Sequence, residues 1–368
     1  MSRFARERRV FFVEEPVYDS LEPALTTVIC PQTNVHVVTP HLSSEVGYNQ
    51  VLNSLLADFA RAKGIQKPIV WFYTPMALEF FPKSISPAAV VYDCMDELSM
   101  FRGAPKQLQG LEAHLLKTAD LVFTGGVSLF EAKRHLHPRV HPFPSGVDVF
   151  HFVQARSFSG DFREQQYMPR PRLGYAGVID ERLDLPLLDE VACKRPEWQL
   201  VMIGPTAKVS ADTLPRRANI HWLGMKDYAD LPKYFAGWDV GIMPFALNDA
   251  TRFISPTKTP EYLSAGLPVV STAIRDVVHP YGELGLARIA HSTDEFIAAA
   301  EHAMRVDMCL KWRERADEFL KRLSWDSIWD DMRHLIAGVL NSQGTQPGSN
   351  PLPRLGQKNP WQENPTSV

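Results

Sequence analysis

Short continuous apolar runs alternate with stretches of helical spacing along most of the 368 residues. Residues 10–13 (VFFV), 35–38 (VHVV), 69–73 (IVWFY), 89–92 (AVVY) and 121–123 (LVF) are such runs. They do not alternate apolar with polar, so each predicted strand is covered on both faces, as in a parallel sheet. Between them, residues 51–59 and 108–117 repeat apolar positions at the spacing of one helix face. This predicts α/β rather than α+β. The rhythm breaks over 153–172, a polar stretch that reads as an interdomain crossover. It resumes with strands at 173–176, 200–203, 220–223, 240–243 and 269–270. Helices are expected at 183–194, 231–236, 260–265 and from 293 to about 323. The predicted division is a first domain over 1–152, a linker over 153–172 and a second domain over 173–340. Residues 341–368, rich in Gly, Pro, Asn, Gln and Ser, are expected to form a disordered tail, because they bury too little to offset ordering.

Composition then removes whole classes of function. Lys and Arg number 39 against 42 Asp and Glu, a net charge of −3. No nucleic-acid partner is expected from such a balance. Cys30, Cys94, Cys193 and Cys309 stand far apart with no CxxC pair. They suggest neither a metal cluster nor a disulfide framework, so a reducing cytoplasm is the expected setting. No apolar run reaches the ~18 residues of a membrane span, and no signal peptide opens the chain. GxGxxG, GxxxxGK[ST] and HExxH are all missing, which argues against dinucleotide, P-loop and zincin chemistry. No metal is expected.

Ligands of open α/β sheets bind beyond the carboxyl ends of strands. The most informative segment there is Ser255-Pro-Thr-Lys-Thr-Pro-Glu-Tyr-Leu-Ser-Ala-Gly-Leu-Pro-Val-Val270. Ser255, Thr257 or Thr259 can cap a helix opened by Pro260 and closed by Gly266. Free amides at such a helix start suit a phosphate, and Lys258 adds a full charge. Glu261 could accept two sugar hydroxyls or merely complement the helix dipole; Lys258 could equally be solvated.

Residues 260–270 of that segment resemble the donor-site signature of the GT-B glycosyltransferases, particularly the retaining family 4 enzymes. Val140-His-Pro-Phe-Pro-Ser-Gly-Val-Asp148 followed by Phe152 resembles that family's interdomain element, and Ala119-Asp-Leu-Val-Phe-Thr124 its last first-domain strand. Ile220-His-Trp-Leu-Gly-Met225 resembles the base-binding loop, and Trp238-Asp-Val-Gly-Ile-Met-Pro244 the strand before the donor loop. The likeness covers about residues 10–323. It implies two Rossmann-like, doubly wound domains facing across a cleft. It also implies transfer of a sugar from a nucleotide-diphosphate sugar, with retention, to a glycan or lipid-linked acceptor. The nucleotide sugar is a co-substrate; no cofactor is implied.

By position, the resemblance gives Glu261 the ribose hydroxyls, and Lys258 with the amides of Thr257 and Thr259 the diphosphate. Gly177 lets the phosphates approach the second domain's first strand, Arg182 pairs with the same diphosphate, and Gly224 lies in the base-binding loop. Two departures stand out: Phe253 replaces a sugar-contacting glutamate, and Val178 an arginine. Arg182 could instead form a surface ion pair with Glu181 or Asp184. On the acceptor side, Asp93 and Asp96 of Tyr92-Asp-Cys-Met-Asp-Glu97 are the expected catalytic carboxylates, facing the cleft to orient a hydroxyl or stabilise a developing cation. Asp96 could equally cap the following helix. His41, and the turn Thr124-Gly-Gly-Val-Ser128, are weaker candidates.

The family's first strand and its loop have no counterpart ahead of residue 10, so the first domain is expected to lack its first strand. Arg3, Arg6, Arg8 and Arg9 read either as a solvated helix face or as a peripheral contact with the inner face of an anionic membrane. Two other readings remain: a sugar-nucleotide epimerase of the same fold, and a non-catalytic partner subunit.

Overall fold

The structure, a computed structural model, describes residues 1–43, 47–101, 103–305 and 310–344. Residues 345–368, most of the expected tail, lie outside the described residues, whereas Asn341 to Gly344 complete the last helix.

The first half runs β1 (Phe11–Val13), β2 (Ala24–Ile29), β3 (His36–His41), α1 (Tyr48–Ala62), β4 (Ile69–Phe72) and β5 (Ala89–Cys94). It continues through α2 (Leu108–Thr118), β6 (Leu121–Thr124), α3 (Val127–Lys133), β7 (Val140–Pro142) and α4 (Val149–Phe152). β4, β5, β6 and β7 pair in that order, all parallel. β1 pairs with β3 in parallel, and the far edge of β3 carries antiparallel β2. The first domain therefore holds two sheets, not one doubly wound sheet. Among the described residues no strand joins β1 to β4; the rings of Phe12 and Tyr73, 6.2 Å apart, span the gap. Phe4–Arg6 forms a single 3-10 turn, and no described strand precedes Phe11. β2 escapes the sequence pattern because threonines interrupt its apolar run and most of its residues are exposed.

The second half runs β8 (Arg172–Ala176), α5 (Leu185–Lys194), β9 (Gln199–Ile203), β10 (Ile220–Trp222), α6 (Leu231–Ala236) and β11 (Val240–Met243). Then come α7 (Lys258–Ala265), β12 (Val269–Thr272), α8 (Arg275–Val277), β13 (Ala287–Ala290), α9 (Thr293–Arg305), α10 (Leu310–Lys321) and α11 (Trp325–Gly344). Its six strands form one wholly parallel sheet in the order β10-β9-β8-β11-β12-β13. The predicted strands recur here nearly residue for residue. Edge strand β13 is the exception, since Arg288 breaks its short run. Tyr234, Phe235, Trp238 and Tyr262 are fully or almost fully buried in the core. Gly174 of β8 admits the Trp238 ring, which a Cβ would approach to 1.9 Å.

The last helix crosses back. Ile328, Ile336 and Val339 of α11 pack with Ala89, Val91, Leu121, Phe123 and Phe143 of the first domain. The expected second-domain limit at 340 thus includes a helix that covers the first domain's sheet. Arg3 (Nε to Oδ1, 2.8 Å) and Arg6 (Nη1 to Oδ1, 3.1 Å) both grip Asp326 of this helix. No helix of the described residues is long and apolar enough to cross a membrane.

Candidate active site

Helix α7 begins where the chain returns from the loop after β11. Everything from Thr259 to Ala265 is buried, and Gly266 ends the helix in the left-handed region at φ +82°. Its carboxyl end is pinned: Arg156 donates from Nε to Ser264 O (2.8 Å) and from Nη2 to Leu263 O (3.2 Å). The same guanidinium pairs with Asp317 at 2.6 Å. Inside, the Tyr262 hydroxyl accepts from the Ala176 amide at 2.8 Å, tying α7 to the end of β8.

The amino end is built differently. Thr257 makes no side-chain cap, and the buried Thr259 Oγ1 has no hydrogen-bond partner. Lys258 Nζ lies 2.7 Å from Glu261 Oε2, with side chains 22% and 11% exposed. The structure thus brings these two expected donor residues together. Burial pushes the Glu261 carboxyl up, while Lys258 and His151 oppose the shift. His151 stacks on Tyr228, ring centroids 4.2 Å apart and 10° from parallel. Glu261 is among the charges that Tyr228 feels, so this stack flanks the carboxylate. Gly224, at φ +66° with open space around its Cβ position, shapes the loop that leads to Tyr228.

Arg182 needs a correction. Its guanidinium is held by Asp180, Nη2 to Oδ2 at 2.7 Å and Nε to Oδ1 at 2.9 Å, not by Glu181 or Asp184. Much of its charge is already matched inside its own loop, although Asp96 of the opposite domain also feels it. Gly177 lies beside the Tyr175 hydroxyl, 2.6 Å from where a Cβ would be. Its carbonyl oxygen would stand 1.8 Å from a Cβ on Gly204, so two loops meet there at backbone distance.

Asp93 and Asp96 diverge. Asp93, 5% exposed, accepts a hydrogen bond from Trp71 Nε1 at 3.0 Å. It shares the β5 face with Val91, beneath the cover of α11, and burial pushes its pKa up to about 7. The expectation that Asp93 faces the cleft fails, because strand alternation sends it to the covered face. Asp96, two residues beyond the strand, is half-buried and looks toward Arg182; burial raises its pKa and that guanidinium counters. His41 is engaged by Asp19 (2.8 Å) and Thr26 (3.0 Å).

Sequence reasoning passed over several groups. Lys133 Nζ, buried, bridges Glu97 (2.6 Å) and Glu112 (2.9 Å) behind the Asp96 loop. Asp276 crosses between the domains to α3. The ring pair of His151 and Tyr228 could have been suspected from the interdomain element it adjoins; the others leave no local signal. A cavity of about 360 Å³ lies between the amino ends of α5 and α9, lined by Leu187, Glu190, Phe245, Thr272 and His291 among others. None of the expected site residues lines it. Among the described residues, no group of three or more His, Cys, Asp or Glu is arranged to hold a metal ion.

Comparison with known proteins agrees with this fold. Residues 170–305 match the family model described as glycosyl transferases group 1. A Bacillus subtilis (strain 168) glycosyltransferase assigned to teichuronic acid biosynthesis, TuaH, is 26% identical over 309 residues, 78% of this chain and 76% of that protein. A solved Escherichia coli trehalose-6-phosphate structure bound with UDP-2-fluoro glucose superposes with TM-score 0.64 at 15% identity, over 90% of this chain and 92% of the other. Anabaena HepE in complex with UDP and glucose superposes with TM-score 0.62 at 14% identity, over 83% and 87%.

Proposed function

We propose that this chain, a glycosyltransferase of GT-B type whose second domain matches the group 1 family model, moves a hexosyl group from a nucleotide-diphosphate sugar to a glycan or lipid-linked acceptor, without a metal and with retention. One observation carries the donor assignment: Lys258 and Glu261 stand paired at the open amino end of α7, beside the partnerless Thr259 hydroxyl. A diphosphate there receives the helix-terminal amides and the Lys258 charge. As Lys258 turns to the phosphates, Glu261 is released to accept from the ribose hydroxyls. In transfer, the bond from the anomeric carbon to the diphosphate oxygen breaks, and a bond to the acceptor oxygen forms. The bond-breaking charge goes to the diphosphate, where Lys258 and the α7 amides stabilise it. Asp96, more basic than an ordinary carboxylate, orients the acceptor hydroxyl and takes its proton as the new bond forms. Support for retention comes from the likeness to the retaining family 4 enzymes. The TuaH relative, assigned to teichuronic acid biosynthesis, favours a growing surface glycan as acceptor. Catalysis would take place in the cytoplasm, with access to acceptors at the inner face of the membrane.

A thermal-shift screen against UDP, GDP, ADP, dTDP and CMP with their sugars, run in EDTA, tests this. A base-selective rise in melting temperature supports a metal-independent donor site. A cooperative melt that no nucleotide moves counts against it.

A further inference from the structure

We propose that Asp276 is a positioning residue for the transfer: its carboxylate clasps the first turn of α3 and fixes the acceptor-side domain against the donor-binding domain. The proposal rests on the glycosyl-transfer reading above. Asp276, 3% exposed, is the middle residue of the short helix α8, which follows β12. Its Oδ2 accepts from the Val127 amide at 3.0 Å and its Oδ1 from the Ser128 amide at 2.9 Å, across 149 and 148 residues. First-turn amides have no partner within their own helix, and a desolvated carboxylate accepting two of them makes charge-assisted bonds. Residue 126 must be glycine for this approach: a Cβ there would sit 1.9 Å from Asp276 Oδ2 and 2.8 Å from Ser255 Cβ.

The contacts around the clasp are reciprocal. Val127, from the first domain, is part of the second domain's buried cluster. Phe253, from the loop before α7, packs against a first-domain cluster that includes Tyr92, Cys94 and Leu129. Arg275 Nη2 meets Glu131 Oε1 of α3 at 2.6 Å. In the turn ahead of α3, Gly125 leaves room for the Met95 carbonyl, 2.5 Å from its Cβ position, and Met95 adjoins Asp96. A continuous line of contacts therefore runs from the loop ahead of Lys258, through Phe253, Ser255 and α3, to the loop that carries Asp96. Misplacing these two loops by an ångström or so is enough to slow a transfer strongly.

Asp276→Asn and, separately, Gly126→Ala test the clasp. Each is compared with the wild type by small-angle X-ray scattering, UDP and GDP titration calorimetry, and transfer kinetics. Both variants are expected to melt cooperatively with a larger radius of gyration. Nucleotide affinity should stay within about twofold, while kcat falls about tenfold or more with donor KM little changed. Scattering curves that superimpose on the wild type in both variants would overturn the proposal. So would equal losses of kcat and nucleotide affinity, or loss of the cooperative melt in Asp276→Asn, which would mark a folding role. If the wild type binds no nucleotide and transfers no sugar, the glycosyl-transfer reading fails, and the scattering comparison still decides whether the clasp exists.

Discussion

Lys258 and Glu261 neutralise one another at 2.7 Å, and the same contact keeps a buried carboxylate and its cation ready for a ligand that needs both. The geometry separates the two acceptor-side carboxylates with equal clarity. Asp96→Asn is expected to lower kcat by about two orders of magnitude, the usual reach of a positioned acid or base, with nucleotide affinity intact. Initial-rate kinetics beside calorimetry checks this, and an unchanged kcat removes Asp96 from the reaction. Asp93 behaves oppositely. Its folded pKa, about 7, stands above its unfolded value, so the folded chain binds its proton more tightly. The contribution of Asp93 to stability therefore falls as pH rises from about 4 to about 7 and levels off above that. Asp93→Asn should flatten this slope, gaining of order 2–4 kcal/mol relative to the wild type between pH 5 and pH 8. Urea melts at the two pH values measure it, and parallel slopes for both proteins would refute the burial argument.

Helix α7 is held at one end and open at the other. Arg156 satisfies its last carbonyls and pairs with Asp317 of α10. Arg156→Ala leaves those carbonyls and a partly buried carboxylate unpaired, so a loss of about 2–3 kcal/mol is expected. Denaturant titration reads this directly; a loss under about 0.5 kcal/mol would show the contact to be incidental. The helix itself was legible in the sequence, since Gly266 closes it and Lys258 and Glu261 mark its first turn, although it starts at Lys258, two residues ahead of the expected Pro260. The parallel strands were legible for a similar reason: β8, β9 and β11 are buried on both faces, and burial leaves an unbroken apolar run. Where burial is partial the signal fades. β2 and β13 carry threonines or an arginine, and α11 mixes polar residues and Gly338 into its exposed side. The site residues that sequence reasoning misplaced share another cause. Which face Asp93 points to depends on its register along β5. Whether Arg182 meets Asp180 or an incoming phosphate depends on the fold of one loop. Neither is a property of spacing.

At the scale of the molecule, each half completes the other. α11 covers the first domain's sheet, and Gly146 packs against the Trp325 ring where the chain returns. Ile336→Ala is expected to cost about 2–4 kcal/mol by opening a cavity under that cover. Because the loss lies far from α7, nucleotide affinity of the folded fraction should not change. A parallel loss of affinity would show that the two domains do not act as separable binding units.

The proposed transfer turns on the amino end of α7 binding a nucleoside diphosphate through Lys258. The most direct measurement is calorimetric titration of the wild type and Lys258→Ala with UDP and GDP in EDTA. The wild type is expected to bind one of the two, and the folded variant to bind it more weakly by about 1.5–3 kcal/mol, roughly ten- to 150-fold. Equal affinity in wild type and variant, or no binding of either nucleotide by the wild type, would contradict it.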